Sequence, residues 1–188
     1  TQVNLTIYSP TTKETKDVKV TRKSISVPTV AHTVLKDNIG YIKISGFEEV
    51  TYEQYANAYN DLKKKGIKSL IIDLRDNPGG LVDSVAKVAD DIIPKGIITY
   101  TEDKKGKKEY IYSKDGELDM PLVVLVNGGS ASASELLSGA IQDTDKGTIV
   151  GENTYGKGVV QTTYSMNDGS AVKITTAKYY TPKGVCID

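Results

Sequence analysis

Two glycine-rich turns hold the residues of this 188-residue sequence that are best suited to covalent chemistry. The first reads Asp73-Leu74-Arg75-Asp76-Asn77-Pro78-Gly79-Gly80, and the second Asn127-Gly128-Gly129-Ser130-Ala131-Ser132-Ala133-Ser134-Glu135. Each follows a buried-looking apolar run and feeds a helix. Ligands collect at such strand ends in open α/β sheets. Glycines there let backbone N–H groups come close to a ligand, and the helix N-terminus favours developing negative charge. Ser132 is therefore a candidate nucleophile, with the Ala133 N–H behind it as an oxyanion donor. A local role competes: Ser132-Ala133-Ser134-Glu135 fits the S-x-x-E capping box, and spacing alone favours that reading. A phosphate cradle is a third option, although the turn lacks G-x-x-x-x-G-K-[ST].

A serine nucleophile needs a base. The only histidine is His32, in a stretch of little periodicity, so a Ser-His-Asp triad would depend on that one residue. Lys157 lies in Gly156-Lys157-Gly158, where small neighbours leave room around it. If a strand begins there, Lys157, Val159 and Gln161 share one face, and Gln161 can orient the amine. A turn lysine is ordinarily solvated, and this one is among 22. An ordinary lysine near pKa 10.4 is neutral in about one molecule in 2,500 at pH 7. A lysine base therefore asks the fold for desolvation, which can lower such a pKa by roughly 3 units.

Composition narrows the alternatives. Basic and acidic residues both number 24, so the formal net charge is zero, and only Arg22 and Arg75 are arginines. That is no nucleic-acid footprint. One cysteine excludes an internal disulfide, and one cysteine with one histidine cannot build a four-ligand N/S zinc site. No metal or cofactor is called for. No run approaches the ~18 apolar residues that span a bilayer, and residue 1 does not open a targeting signal.

The elements that must position these residues read as α/β, bordering on α+β, around a mixed sheet. Alternation at 3–8 and 18–22 predicts a hairpin with one face turned inward. Residues 24–36, with Pro28, read as a linker. Beyond them lie a strand at 39–44 and a helix from a Thr51-x-x-Gln54 capping box to about Lys65. A continuous apolar strand at 68–74 implies a sheet covered on both faces. A helix at 82–93, a hairpin at 97–101 and 109–113, and a buried strand at 122–126 follow. A helix from about 132 to 142 and strands at 148–150, 159–164 and 171–180 complete the chain. The lysine runs at 63–65 and 104–108 read as solvated faces.

The segments LVNGGSASASE (125–135), IQD (141–143) and VGENTYGKGVVQ (150–161) together resemble the carboxyl-terminal processing, or tail-specific, proteases. DLRDNPGG (73–80), NIGYIKI (38–44) and YYTP (179–182) are similar to further signatures of that family, in the same order. The Ser132-to-Lys157 spacing of 25 agrees as well. The resemblance implies Ser132 as nucleophile, Lys157 as general base and Gln161 as the residue orienting it. Gly80 and Ala133 match the backbone oxyanion donors, with Gly79 the neighbouring alternative to Gly80. It also implies a core of the ClpP/crotonase-like type over 37–188, ending short of the family's usual C-terminus. Residues 1–25 resemble the last strands of a PDZ-like domain, joined through a linker at 26–36. The implied partners are polypeptides with apolar C-termini, in an extracytoplasmic setting. Any membrane anchor would lie in segments outside these residues, and the oligomeric state is left open.

Two other functions stay in play. One is a scaffold of the same fold that holds peptides or ligands without turnover. The other is an acyl-CoA enzyme with a similar glycine-rich oxyanion hole, which would not need Lys157 beside Ser132. Cys186 reads as a small core or strand residue before it reads as a reactive thiol.

Overall fold

The structure, a computed structural model, describes residues 1–23, 27–114 and 116–188. The alternating N-terminal residues pair as an antiparallel hairpin of β1 (Gln2–Ser9) and β2 (Glu14–Thr21), with Val3 opposite Val20 and Leu5 opposite Val18. Its apolar face was expected to point inward, yet Val3, Leu5, Ile7 and Val20 are exposed and the hairpin forms its own two-stranded sheet. Two strands supply no second layer against which to bury a face. The 24–36 stretch is not featureless either. It carries β3 (Val30–Val34), the edge strand of the main sheet, antiparallel to β4 (Ile39–Ile44). Residues 24–26, where the expected hairpin remnant meets the expected linker, lie outside the described residues.

Helix α1 (Thr51–Lys64) buries Thr51, Tyr55, Ala58 and Leu62, the three- and four-residue spacing of one helical face. Its expected capping box does not form, because Val50 takes the N-cap position. Thr51 Oγ1 instead accepts the Glu48 N–H at 2.8 Å, and Gln54 Oε1 accepts the Thr29 N–H at 2.8 Å. Thr51 Oγ1 also shares a 2.7 Å hydrogen bond with Thr29 Oγ1, so both side chains fasten the entry to β3. The chain continues through β5 (Ser69–Asp73), α2 (Val82–Asp90), β6 (Gly96–Asp103), β7 (Lys108–Ser113) and β8 (Leu122–Val126). It ends with α3 (Ala133–Asp143), β9 (Thr148–Gly151), β10 (Val159–Ser165) and β11 (Ala171–Tyr180). Helix α2 stops at Asp90, short of the expected 93, and the turn after it buries Ile92 and Ile93 completely ahead of Pro94.

The main sheet has the order β3-β4-β5-β8-β9, and β4, β5, β8 and β9 run parallel. Helix α1 lies between β4 and β5 in the chain, and α3 between β8 and β9. This is an α/β fold. One sheet face, with Ile42, Ile72 and Val124 adjacent in register, is fully buried with residues of all three helices. Each such side chain contributes roughly 1.5–3 kcal/mol by leaving water. The opposite face, with Ile71, Val123 and Leu125, is only half-buried, so the sheet is not covered equally on both sides as its apolar strands implied. A second, antiparallel sheet of order β10-β11-β6-β7 stacks Tyr100 on Tyr180 and sets it at a tilt to Tyr110. Because four strands of the main sheet are parallel, the loops after β5, β8 and β9 leave from one end. Those loops carry the glycine-rich turns and Lys157.

Candidate active site

The turn after β5 begins with a locked carboxylate. Asp73 is fully buried, and both of its oxygens accept from Arg75: Oδ1 from the backbone N–H and Nε, Oδ2 from Nη2. The Tyr41 hydroxyl donates to Oδ2 as well. Burial alone would raise this carboxyl, but hydrogen bonds from Arg75 and Tyr41 outweigh it and hold Asp73 down at about 2, against an ordinary 3.8. The folded state therefore favours the ionised form, and that contribution is complete above the unfolded carboxylate range. It is lost as pH falls from about 4 to about 2. Asp73→Asn is expected to lower stability at neutral pH by about 2–3 kcal/mol, the scale of hydrogen bonds to a charged group. The gap to the unsubstituted protein should close over that acid window in urea titrations at stepped pH. A constant gap would rule the effect out.

Asn77 then ties this turn to its neighbours. It is fully buried, its Nδ2 donates to Ile44 O at the end of β4, and its Oδ1 accepts the Gly79 N–H at 2.9 Å. Its carbonyl accepts from the Ala131 N–H and from Ser134 Oγ, both at 3.0 Å. The first glycine-rich turn is thereby bound to the loop that carries Ser132. Gly79 sits at φ +99°, and a Cβ placed on it would lie 2.8 Å from Ser132 Cβ and 2.9 Å from the Ala133 nitrogen. Gly80, at φ +143°, passes against Phe47, whose carbonyl oxygen would be 2.1 Å from an added Cβ. Both glycines are required by close backbone approach.

The turn after β8 is braced in the same manner. Asn127 Oδ1 accepts the N–H groups of Asp76 and Gly129, and Ser130 Oγ donates to Leu74 O. Ser132 is the N-cap of α3, half-buried, at φ 54° and ψ −114°. A non-glycine residue in that region is strained by about 1–3 kcal/mol and persists only where the surroundings impose it. The predicted capping box is present: Glu135 Oε2 accepts the Ser132 N–H at 2.7 Å. Capping and a strained backbone coexist at one residue.

Two backbone donors in these turns are unspent. Among the described residues, no acceptor lies on the N–H of Gly80 or of Ala133, whereas the Gly79 N–H is taken by Asn77. Of the two glycines weighed from sequence, Gly80 has the free donor.

The loop after β9 brings in Lys157. The Tyr155 N–H donates to Ser130 O at 3.0 Å, and the N–H groups of Gly156 and Lys157 donate to the Glu135 carboxylate at 2.7 and 2.9 Å. The strand starts at Val159, so Lys157 precedes β10 and does not open it. Its side chain is exposed, and among the described residues the one hydrogen bond Lys157 makes to a side chain is from its backbone N–H to Glu135, with none to Ser132 or Gln161. Gln161 is also exposed, opposite Thr175 beside a bulge in the pairing of β10 with β11. His32 lies elsewhere, on β3, with Nε2 2.9 Å from Asp61 Oδ2. Cys186 pairs in an isolated bridge with Tyr180.

Sequence reasoning overlooked two residues. Asn77 was visible only as part of a turn motif, and Glu135 only as a cap. The signal for Glu135 was a charged residue amid the apolar positions of α3, where it is 4% exposed. A groove of about 630 Å³ runs beside Gly79, lined in part by Val27, Val50, Pro78 and Leu81, with the carboxylates Glu48 and Glu49 on its wall. No described helix is long and apolar enough to cross a membrane.

The chain is similar over most of its length to known processing proteases. The chain is 41% identical over 190 residues to the carboxyl-terminal-processing protease of Synechocystis sp., covering 97% of the chain and 44% of that relative. It is 41% identical over 170 residues to the carboxy-terminal processing protease CtpA of Bacillus subtilis, covering 89% of the chain and 36% of the relative. It thus spans less than half the length of these curated relatives. A solved photosystem II D1 C-terminal processing protease superposes with a TM-score of 0.81 at 33% identity, covering 100% of this chain and 53% of that one. Residues 38–188 match the model of peptidase family S41, and the chain belongs to that family.

Proposed function

We propose that the chain is the core of a serine endopeptidase that cleaves polypeptides near apolar C-terminal tails. The observation that carries this reading is a strained serine at a turn whose backbone keeps unspent donors. Ser132 is held at φ 54° and packs on Gly79, and among the described residues the N–H groups of the next residue along each loop, Gly80 and Ala133, have no acceptor. Oxyanion stabilisation needs donors of this kind, fixed before charge develops. Lys157 is the base in this reading, because its loop is tied to the same helix turn as Ser132. Its amine accepts the Ser132 hydroxyl proton while Oγ bonds to the scissile carbonyl carbon. The oxyanion is held by Gly80 and Ala133, and the C–N bond breaks as the Lys157 ammonium returns that proton to the leaving amine. Water then gives a proton to Lys157 and attacks the acyl ester, and Ser132 recovers its proton as the ester breaks. No metal or cofactor enters this scheme. Gln161 orients the amine once Lys157 turns toward the site.

The groove beside Gly79 suits an apolar substrate side chain, which supports the choice of tail. Kinship to carboxyl-terminal processing proteases supports it too, as it does an extracytoplasmic location. The relative from Tetradesmus obliquus is named as chloroplastic. We further read residues 1–25 as the end of a PDZ-like domain, whose open apolar face the rest of that domain would cover. The competing reading, a scaffold that holds peptides without turnover, is favoured by one observation: the Lys157 side chain is exposed and unbonded to Ser132. Incubating the full-length protein with an apolar-tailed polypeptide decides between them. Cleavage lost on Ser132→Ala and on Lys157→Ala is the expected result, and cleavage that survives both excludes the dyad.

A further inference from the structure

We propose that Glu135 is the positioning residue that sets the separation of nucleophile and base, a role that rests on the Ser132–Lys157 reading above. Its carboxylate is buried in the first turn of α3 and accepts three backbone N–H groups from two loops. Oε2 takes those of Ser132 at 2.7 Å and Lys157 at 2.9 Å, and Oε1 takes that of Gly156 at 2.7 Å. One oxygen atom thus bridges the backbones of two residues that lie 25 positions apart in sequence. A capping box requires only the first of these bonds. The other two reach 21 and 22 residues along the chain, to a loop that among the described residues is otherwise tied to the β8–α3 segment by the Tyr155 N–H to Ser130 O and the Glu152 N–H to Val126 O.

The chemistry explains why this position carries a carboxylate. Three converging N–H donors need acceptors on both oxygens, which an ionised Glu supplies. A Gln of the same shape presents an NH₂ group at one end, and that end faces N–H donors whichever way the amide is turned. Glu135→Gln therefore loses at least one bond and sets donor against donor, while the side-chain volume is kept. The Lys157 loop is then free to shift relative to Ser132. Glu135 touches neither substrate nor reacting atoms in this scheme, so it acts on geometry alone. A displacement of about 1 Å between reacting groups can lower a rate by about 10²-fold.

The test compares four forms of the full-length protein on a fluorogenic peptide with an apolar C-terminal tail: unsubstituted, Ser132→Ala, Glu135→Gln and Thr144→Ala. Thr144 caps the far end of the same helix, with Oγ1 bonded to Ala140 O, and so controls for simple loss of helix stability. The expected result is a kcat about 10²-fold lower in Glu135→Gln with KM within about threefold, and kcat unchanged in Thr144→Ala. If Glu135→Gln retains kcat within about threefold while Ser132→Ala is inactive, the clamp is overturned and the dyad stands. If Ser132→Ala stays active, the dyad reading itself falls. Should Glu135→Gln fail to fold, amide hydrogen exchange of the unsubstituted protein decides. Equal protection of the Ser132, Gly156 and Lys157 amides supports a single clamp, and open-loop exchange at Gly156 and Lys157 overturns it.

Discussion

Alanine at Ser132, alanine at Lys157 and alanine at both are each expected to lower peptide turnover by about 10⁴-fold or more, with the double variant no worse than the weaker single. The reasoning is that neither residue has chemistry without the other. The serine hydroxyl needs an acceptor for its proton, and the amine acts only on that hydroxyl and on the water that replaces the leaving group. Residues that work as one unit show such non-additive losses, whereas independent contributors multiply. What the proposed mechanism leaves intact in all three variants is the pair of Gly80 and Ala133 N–H groups, since these belong to the backbone. Steady-state kcat and KM on one apolar-tailed peptide measure this directly. Losses that multiply in the double variant would show that Lys157 acts apart from Ser132.

The second large effect is structural. Gly79→Ala is expected to destabilise the fold by about 3 kcal/mol or more and to abolish cleavage. The new methyl group would lie 2.7 Å from Ala131 O, 2.8 Å from Ser132 Cβ and 2.9 Å from the Ala133 nitrogen. Those contacts are with backbone and a Cβ, which cannot swing aside as a long side chain can. The loop carrying Ser132 must therefore move. Gly66→Ala is the matched control: it has φ +75° but nothing within 4 Å of an added Cβ. Its cost is the backbone conformation alone, about 1–2 kcal/mol. Urea unfolding of the two variants separates collision from conformation. Equal losses would mean that the packing of Gly79 on the Ser132 loop carries no weight.

Much of the fold was legible because it rests on local pattern. Helix α3 and its cap follow from Ser132-x-x-Glu135 and the apolar positions behind it. β5 and β8 follow from runs of Leu, Ile and Val. What failed also has local causes. Thr51 and Gln54 have the spacing of a capping box, yet partners at Thr29 and Glu48 compete for them and win. β3 is only five residues long and follows Pro28 closely, so its pairing with β4 creates a strand too short to announce itself by alternation.

For the site, the sequence by itself determined the inventory: a serine at a helix start, glycines where a backbone must pass closely, a lone histidine, and a lysine between two glycines. Those are properties of residue type and of neighbours three or four positions away. Only the tertiary structure decided which donors remain free, because that depends on who else accepts or donates. Asn77, bonded to Ser134 across 57 positions and to Gly79 across two, takes the Gly79 N–H and leaves that of Gly80. Glu135, a simple cap in one dimension, gains Gly156 and Lys157 through contacts 21 and 22 positions long. Hydrogen-bond capacity is shared among everything a fold brings within about 3 Å, and the linear order of residues does not record that neighbourhood.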